Sequence, residues 1–142
     1  MHIKRISLVV IALATVVATA LPAAALVPHR QSTLTGAQEP DGGDANGRGQ
    51  FSWSIDGTRL CYLLTVRRIA TPTAAHIHKG RRGVAGDVKV TLETPTPRSS
   101  AACTDVPATL AEHLKMHPGR YYVNVHNAAY PAGAVRAQLG RT

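Results

Sequence analysis

The sequence predicts an all-β fold, an antiparallel β-sandwich with one short helix, and three observations carry that prediction. Short stretches alternate strictly between apolar and polar residues, as in "FSWSI", where Phe51, Trp53 and Ile55 share one side and two serines the other. Turn residues, above all glycine, punctuate the chain between these stretches at close intervals. Only one segment carries helical spacing, so the repeated strand–helix alternation of an α/β fold is missing.

Residues 1–25 stand apart from this pattern. Lys4 and Arg5 precede the apolar run "ISLVVIALATVVATAL" and then Ala23-Ala24-Ala25, the layout of a secretory signal peptide with its cleavage site. The run is shorter than the roughly 20 residues that span a bilayer comfortably, so no retained membrane anchor is expected. "KR" is not a twin-arginine pair, and no cysteine follows the run to accept a lipid. Residues 26–142 are then one exported domain, secreted or held in the cell envelope, with too little chain for a second core. Loss of Lys4 and Arg5 lowers the formal charge from +8 to +6, a balance that suits an anionic polymer or an acidic protein as neighbour. No nucleic-acid module is present, and no nucleic acid is expected.

The elements follow in order. After a first strand at 32–37 comes the loop "DGGDANGRG". "FSWSI" and "RLCYLLTV" form a hairpin through Asp56-Gly57, which supplies the positive φ angles of a tight turn. A second hairpin runs from 74–78 through "KGRRGVAG" to 87–92, and a third from 120–126 through "NAAYPAG" to 134–139. Between them "TDVPATLAEHLKMHPG" reads as a short helix with Asp105 as N-cap, Pro107 in the first turn, Leu110 and Leu114 four apart, and Pro118-Gly119 as the stop.

Cys61 and Cys103 are the only cysteines. Export places them in an oxidising compartment, and no CxxC spacing supports a thiolate metal site, so a disulfide is expected. It closes a loop of about 43 residues, worth roughly 4 kcal/mol in loop-closure entropy.

Successive side chains on a strand point to opposite faces. His76 and His78 therefore share the face opposite Ile77, while His126, with Tyr122 and Asn124, lies opposite Val123 and Val125. If the second and third hairpins are neighbours, three imidazoles converge, a set that suits copper or zinc and leaves a coordination position open. Asp87, outward at the start of an adjacent strand, is the candidate fourth or outer ligand. Histidines alternating on a solvated strand face need no metal, and the pattern by itself leaves both readings open. His29, His113 and His117 read as surface residues; the last two are four apart on the expected helix but lack the glutamate of HExxH. Arg67, Arg68, Lys79, Arg81 and Arg82 read as solvated loop cations, and Tyr121 as a core residue. There is no GxSxG elbow, no P-loop and no catalytic carboxylate pair, so no hydrolase is expected.

Three blocks in order, "LTGAQE" (34–39), "AAHIHKGRRGVAGDVKVTL" (74–92) and "YYVNVHNAAYPAGAVRAQL" (121–139), resemble the CHRD domain found in chordin and in many exported bacterial proteins. The resemblance implies an immunoglobulin-like β-sandwich or barrel and an extracellular binding module, with no general enzymatic role. His76, His78 and His126 match the family pattern. Two places depart from it: Pro40-Asp41 replaces a Val-Pro-Pro run, and Gly133-Ala134-Val135-Arg136 replaces Gly-Glu-Ile-Arg, which removes an outward glutamate. The HxH strand is also similar, over a shorter stretch, to the copper strand of copper/zinc superoxide dismutases. The expected function is thus a non-catalytic binding module with a three-histidine copper or zinc site. The rivals are a metal-free module for an extracellular protein or cell-wall polymer and, last, a dismutase-like enzyme.

Overall fold

In the computed structural model, which describes residues 29–140, the alternating stretches become eight antiparallel strands. They are β1 (Arg30–Thr35), β2 (Arg48–Asp56), β3 (Arg59–Arg67), β4 (Pro72–Lys79), β5 (Val88–Leu92), β6 (Ser99–Asp105), β7 (Tyr121–Asn127) and β8 (Tyr130–Gln138). One helix, α1 (Ala108–Met116), lies between β6 and β7. The expected signal peptide, 1–25, lies outside the described residues. Among the described residues, no helix is long and apolar enough to cross a membrane.

All eight strands share one hydrogen-bonded order, β5-β4-β7-β8-β1-β2-β3-β6, rather than dividing between two separate sheets. The sheet curls nearly into a barrel. The link between its halves is narrow, a single β1–β8 register pair, Thr35 with Arg136. Across the remaining seam, Glu93, just after β5, is bonded to side chains of β3 and β6. The Glu93 amide donates to the Tyr62 hydroxyl at 2.7 Å, and Ser100 Oγ donates to the Glu93 carbonyl at 2.8 Å. These bonds satisfy groups that an open edge would expose.

The apolar faces meet inside. Leu34, Phe51, Trp53, Leu60, Leu64, Ile77, Val123, Val125, Val135 and Leu139 are essentially inaccessible, each contributing roughly 1.5–3 kcal/mol by leaving water. Tyr121 joins them, as alternation requires. α1 adds Ala111 and Leu114 to the same core, with Leu110 packed against it. Its C-terminal carbonyls, those of Leu114 and Lys115, accept from Arg30 Nη1 at 3.4 and 3.0 Å, while the Arg30 guanidinium lies 5.1 Å from the Trp53 ring centre.

Four details differ from the sequence reading. The β2–β3 turn is Gly57-Thr58, because Asp56 pairs with Arg59, and only Gly57 takes positive φ, at 55°. The third hairpin is tighter: Asn127 pairs with Tyr130, its Oδ1 accepts from the Tyr130 amide, and most of "NAAYPAG" is strand. Asp105 does not cap α1; it ends β6 opposite Arg59, and Pro107 holds the N-cap position with no side-chain cap bond. Finally, "SSAACTD" forms β6 although it has no large apolar residue. Its pairing with β3 places Cys103 directly opposite Cys61, and the two form the expected disulfide.

Candidate functional site

The site lies on the outer face of β4, β7 and β8, which are neighbours in the sheet. Register sets His76 opposite Asn124, His78 opposite Tyr122 and Asn124 opposite Arg136. The same face thus carries all six side chains, with His126 diagonal to His76. Most of this face is covered, with His76 and His126 half-buried at its margin. His78 is 8 % exposed, Tyr122 3 %, Asn124 2 % and Arg136 1 %, because two loops cover it.

Arg136 holds the loop 80–87 in place by donating through Nη2 to the carbonyls of Arg81 (2.8 Å) and Val84 (3.1 Å). Gln138 Nε2 donates to the Gly80 carbonyl at 2.7 Å, and the Gly86 amide donates to the Tyr122 hydroxyl at 3.1 Å. The loop at 36–44 is tied down by the Asp44 amide, which donates to the Ala134 carbonyl at 2.8 Å. Gly36 and Gly43 make that approach feasible, since a Cβ on either would strike backbone of the facing segment. Beneath the loops, Tyr122 is stacked by the His78 ring, with centroids 4.8 Å apart and planes within 4°. The Arg136 guanidinium also stacks on it, 3.3 Å from its centre.

The nitrogens of His76, His78 and His126 all lie within 4.8 Å of one another. His78 Nδ1 donates to the Gly86 carbonyl at 2.8 Å and His126 Nδ1 to the Pro131 carbonyl at 2.9 Å, since a carbonyl can only accept. Both rings, when neutral, therefore turn a lone pair on Nε2 toward the cluster, the arrangement that outer partners impose on metal-binding histidines. His78 Nε2 is buried with no hydrogen-bond partner. His126 Nε2 faces Asn124 Oδ1 and His76 Nδ1, each at 3.1 Å. Two ligand nitrogens about 2.0 Å from one ion stand roughly 3 Å apart at a near-tetrahedral angle, which is the observed His76–His126 separation.

Protonation states agree with this chemistry. Burial pushes the His76 imidazole below its ordinary pKa, and the neighbouring His126 and His78 push the same way. Burial also lowers His126, helped by His78 and opposed by the Pro131 carbonyl. Neutral imidazole is the ligand form.

Behind the histidines, Asn124 connects His126 to the buried carboxyl of Glu39. Burial raises that carboxyl from 4.5 to about 7, against the pull of Arg136 and the Asn124 hydrogen bond, with Asp41 adding to the rise. Glu39, Tyr122, Gly133 and Arg136 line a cavity of about 70 Å³, where Glu39 Oε1 and Arg136 Nη1 have no partner. Gly133 is required there, at φ 148° and with the Glu39 carboxyl occupying the space of a Cβ. Position 134 carries no carboxylate here, and the buried acid of this neighbourhood comes from Glu39.

The structure brings together His76, His78 and His126 and leaves Asp87 outside. The Asp87 side chain is 87 % exposed and pairs with Lys89 at 3.4 Å, because β5 begins at Val88 and leaves Asp87 in the loop. His29 is exposed, and Tyr122 belongs to the covered polar layer rather than to a surface. Arg67 ends β3 opposite Arg48, while Arg81 and Arg82 belong to the covering loop. Sequence reasoning missed Glu39 as a site residue, although "LTGAQE" contains it and the Gly-rich run after it marks a loop able to fold back.

No curated protein and no solved structure matches the chain. The family profile of the CHRD domain matches residues 30–139, nearly all of the described structure, with the three histidines, Asn124 and Glu39 inside that span. The chain belongs to the CHRD domain family.

Proposed function

We propose that the protein is an exported, non-catalytic binding module that holds a copper or zinc ion at His76, His78 and His126. The observation that carries this reading is a buried imidazole nitrogen without a partner. His78 Nε2 has no hydrogen-bond partner, and the nitrogens of His76 and His126 lie close beside it, so the position among the three rings suits a cation. The depressed imidazole pKa values leave that cation to be a metal rather than a proton at neutral pH. The leader-like residues 1–25 and the Cys61–Cys103 disulfide support export to an oxidising compartment.

Titration of the protein with Cu(II) and Zn(II), beside the triple alanine variant at 76, 78 and 126, tests the reading. The native chain is expected to take one ion at this site. His78→Ala alone should lower affinity by more than the roughly 10–100-fold that loss of an outer partner costs. Equal affinities in native and triple variants would remove the proposal.

A second reading, a module for an anionic polymer, rests on the outer face of β1, β2 and β3. There Arg48 and Arg67, paired across two strands, line a polar groove of about 400 Å³ with Thr33, Gln50 and Thr65. Polymer binding that survives a chelator and weakens steeply with salt would favour it.

A further inference from the structure

A second cluster of soft and borderline ligands lies on α1, apart from the three-histidine site and sharing no residue with it. His113 and Met116 stand three apart on α1, and His117 is the C-cap residue that ends it. All three line the same surface depression of about 500 Å³, together with Glu112. The imidazole centroids of His113 and His117 are 4.9 Å apart. Two imidazoles bound to one ion at about 2.0 Å hold their centroids roughly 5 Å apart.

His113 is oriented from below. Its Nδ1 lies 2.9 Å from the hydroxyl of Tyr121, whose ring meets it edge-on at 5.5 Å. The hydroxyl engages Nδ1, so Nε2 is the nitrogen left for a ligand, and the tautomer with the proton on Nδ1 gives it the lone pair that ligation needs. Met116 is 60 % exposed and lines the same depression as the two imidazoles. It adds a polarizable thioether to the same face.

The position on the helix favours a cation. His113 and Lys115 occupy the last turn of α1, where the carbonyl ends carry partial negative charge. Lys79 and Arg120, the positive neighbours of His113, oppose a divalent ion more than a monovalent one. Charge and the thioether therefore select the same species.

We propose that His113, Met116 and His117 form a second, surface metal site that binds copper(I). The site is bound by two imidazoles and one thioether, a set suited to copper(I) rather than to hard cations. It does not depend on the three-histidine reading.

The test is a copper(I) titration under anaerobic conditions against a chromogenic bidentate chelator, with far-ultraviolet circular dichroism as a check on folding. The native chain is expected to bind one copper(I) equivalent at α1, which the triple alanine variant at 76, 78 and 126 retains. His113→Ala/His117→Ala should lose that equivalent. Met116→Leu should weaken copper(I) binding at α1 at least tenfold while leaving zinc(II) binding unchanged, and X-ray absorption should lose its sulfur scatterer. Native stoichiometry that is unchanged in His113→Ala/His117→Ala overturns the proposal, as does copper(I) affinity indifferent to Met116→Leu. Loss of copper only in the variants at 76, 78 and 126 would sink the α1 site and leave the first site standing. If the buried His78 substitution disturbs folding, the α1 variants on the otherwise native chain still decide the matter.

Discussion

Replacing Glu39 by glutamine should remove a pH dependence of stability whose sign and size follow from the site. In the fold the Glu39 carboxyl titrates at about 7 instead of 4.5, because burial penalises its charged form more than Arg136 and Asn124 favour it. Between those two pH values the folded chain keeps the proton and the unfolded chain releases it. Stability attributable to the neutral acid is therefore fully present below about pH 4.5 and is lost as pH rises through about 7. The shift corresponds to roughly 3 kcal/mol at 1.36 kcal/mol per pKa unit. His76 and His126 act in the opposite direction: their lowered pKa values cost stability as pH falls below the ordinary imidazole range. That contribution is common to both proteins and cancels in their difference. Urea unfolding of the metal-free native chain and of Glu39→Gln from pH 4.5 to 8 should show the native-minus-variant difference falling by roughly 3 kcal/mol up to pH 7 and flat beyond. A difference independent of pH would refute the burial argument. One that rises with pH would mean that attraction to Arg136 outweighs desolvation.

Three further outcomes follow from the same structure. Replacing both Cys61 and Cys103 by alanine opens a loop with a sequence separation of 42, and thermal or urea unfolding should show a loss of roughly 4 kcal/mol. Arg136→Leu removes the Nη2 bonds to the Arg81 and Val84 carbonyls. Hydrogen exchange should then accelerate across residues 80–87, with about 3 kcal/mol lost overall because charge-assisted bonds are cut, whereas unchanged protection would show that Gln138 and Tyr122 hold the loop alone. On acidification through the ordinary imidazole pKa of 6.5, zinc affinity at the three-histidine site should fall less than for three free imidazoles, because His76 and His126 titrate lower. A fall as steep as that of three free imidazoles would show that His76 and His126 are solvated.

The legibility of the chain varied from element to element. "FSWSI" and "RLCYLLTV" announced their strands because alternation and β-rich composition agreed, and both faces went where the pattern sent them. "SSAACTD" was silent: its small side chains carry no period, and it is a strand because β3 offers a free edge and Cys61 stands opposite Cys103. The N-cap assigned to Asp105 failed for a related reason, since pairing with Arg59 extends β6 through that residue. Asp87 fell out of the site because β5 starts one residue later, which frees its side chain to point into solvent.

By itself, the sequence determined which residues face the apolar core and which face away along most strands, because the strand period is local and needs only neighbouring residues; Val88, expected inside with Val90 and Leu92, is exposed where the β4–β5 register shifts. The sequence thereby placed His76, His78 and His126 on one side, and it limited the cysteines to a single intramolecular pairing. Only the tertiary structure decided that this outer side is buried. The covering depends on contacts between distant parts of the chain, such as Arg136 with Arg81 and Asp44 with Ala134, which no local period encodes. That covering takes His78 Nε2 out of water without a partner and lifts the Glu39 carboxyl toward neutrality. Desolvation is what converts three outward histidines from a surface pattern into a site.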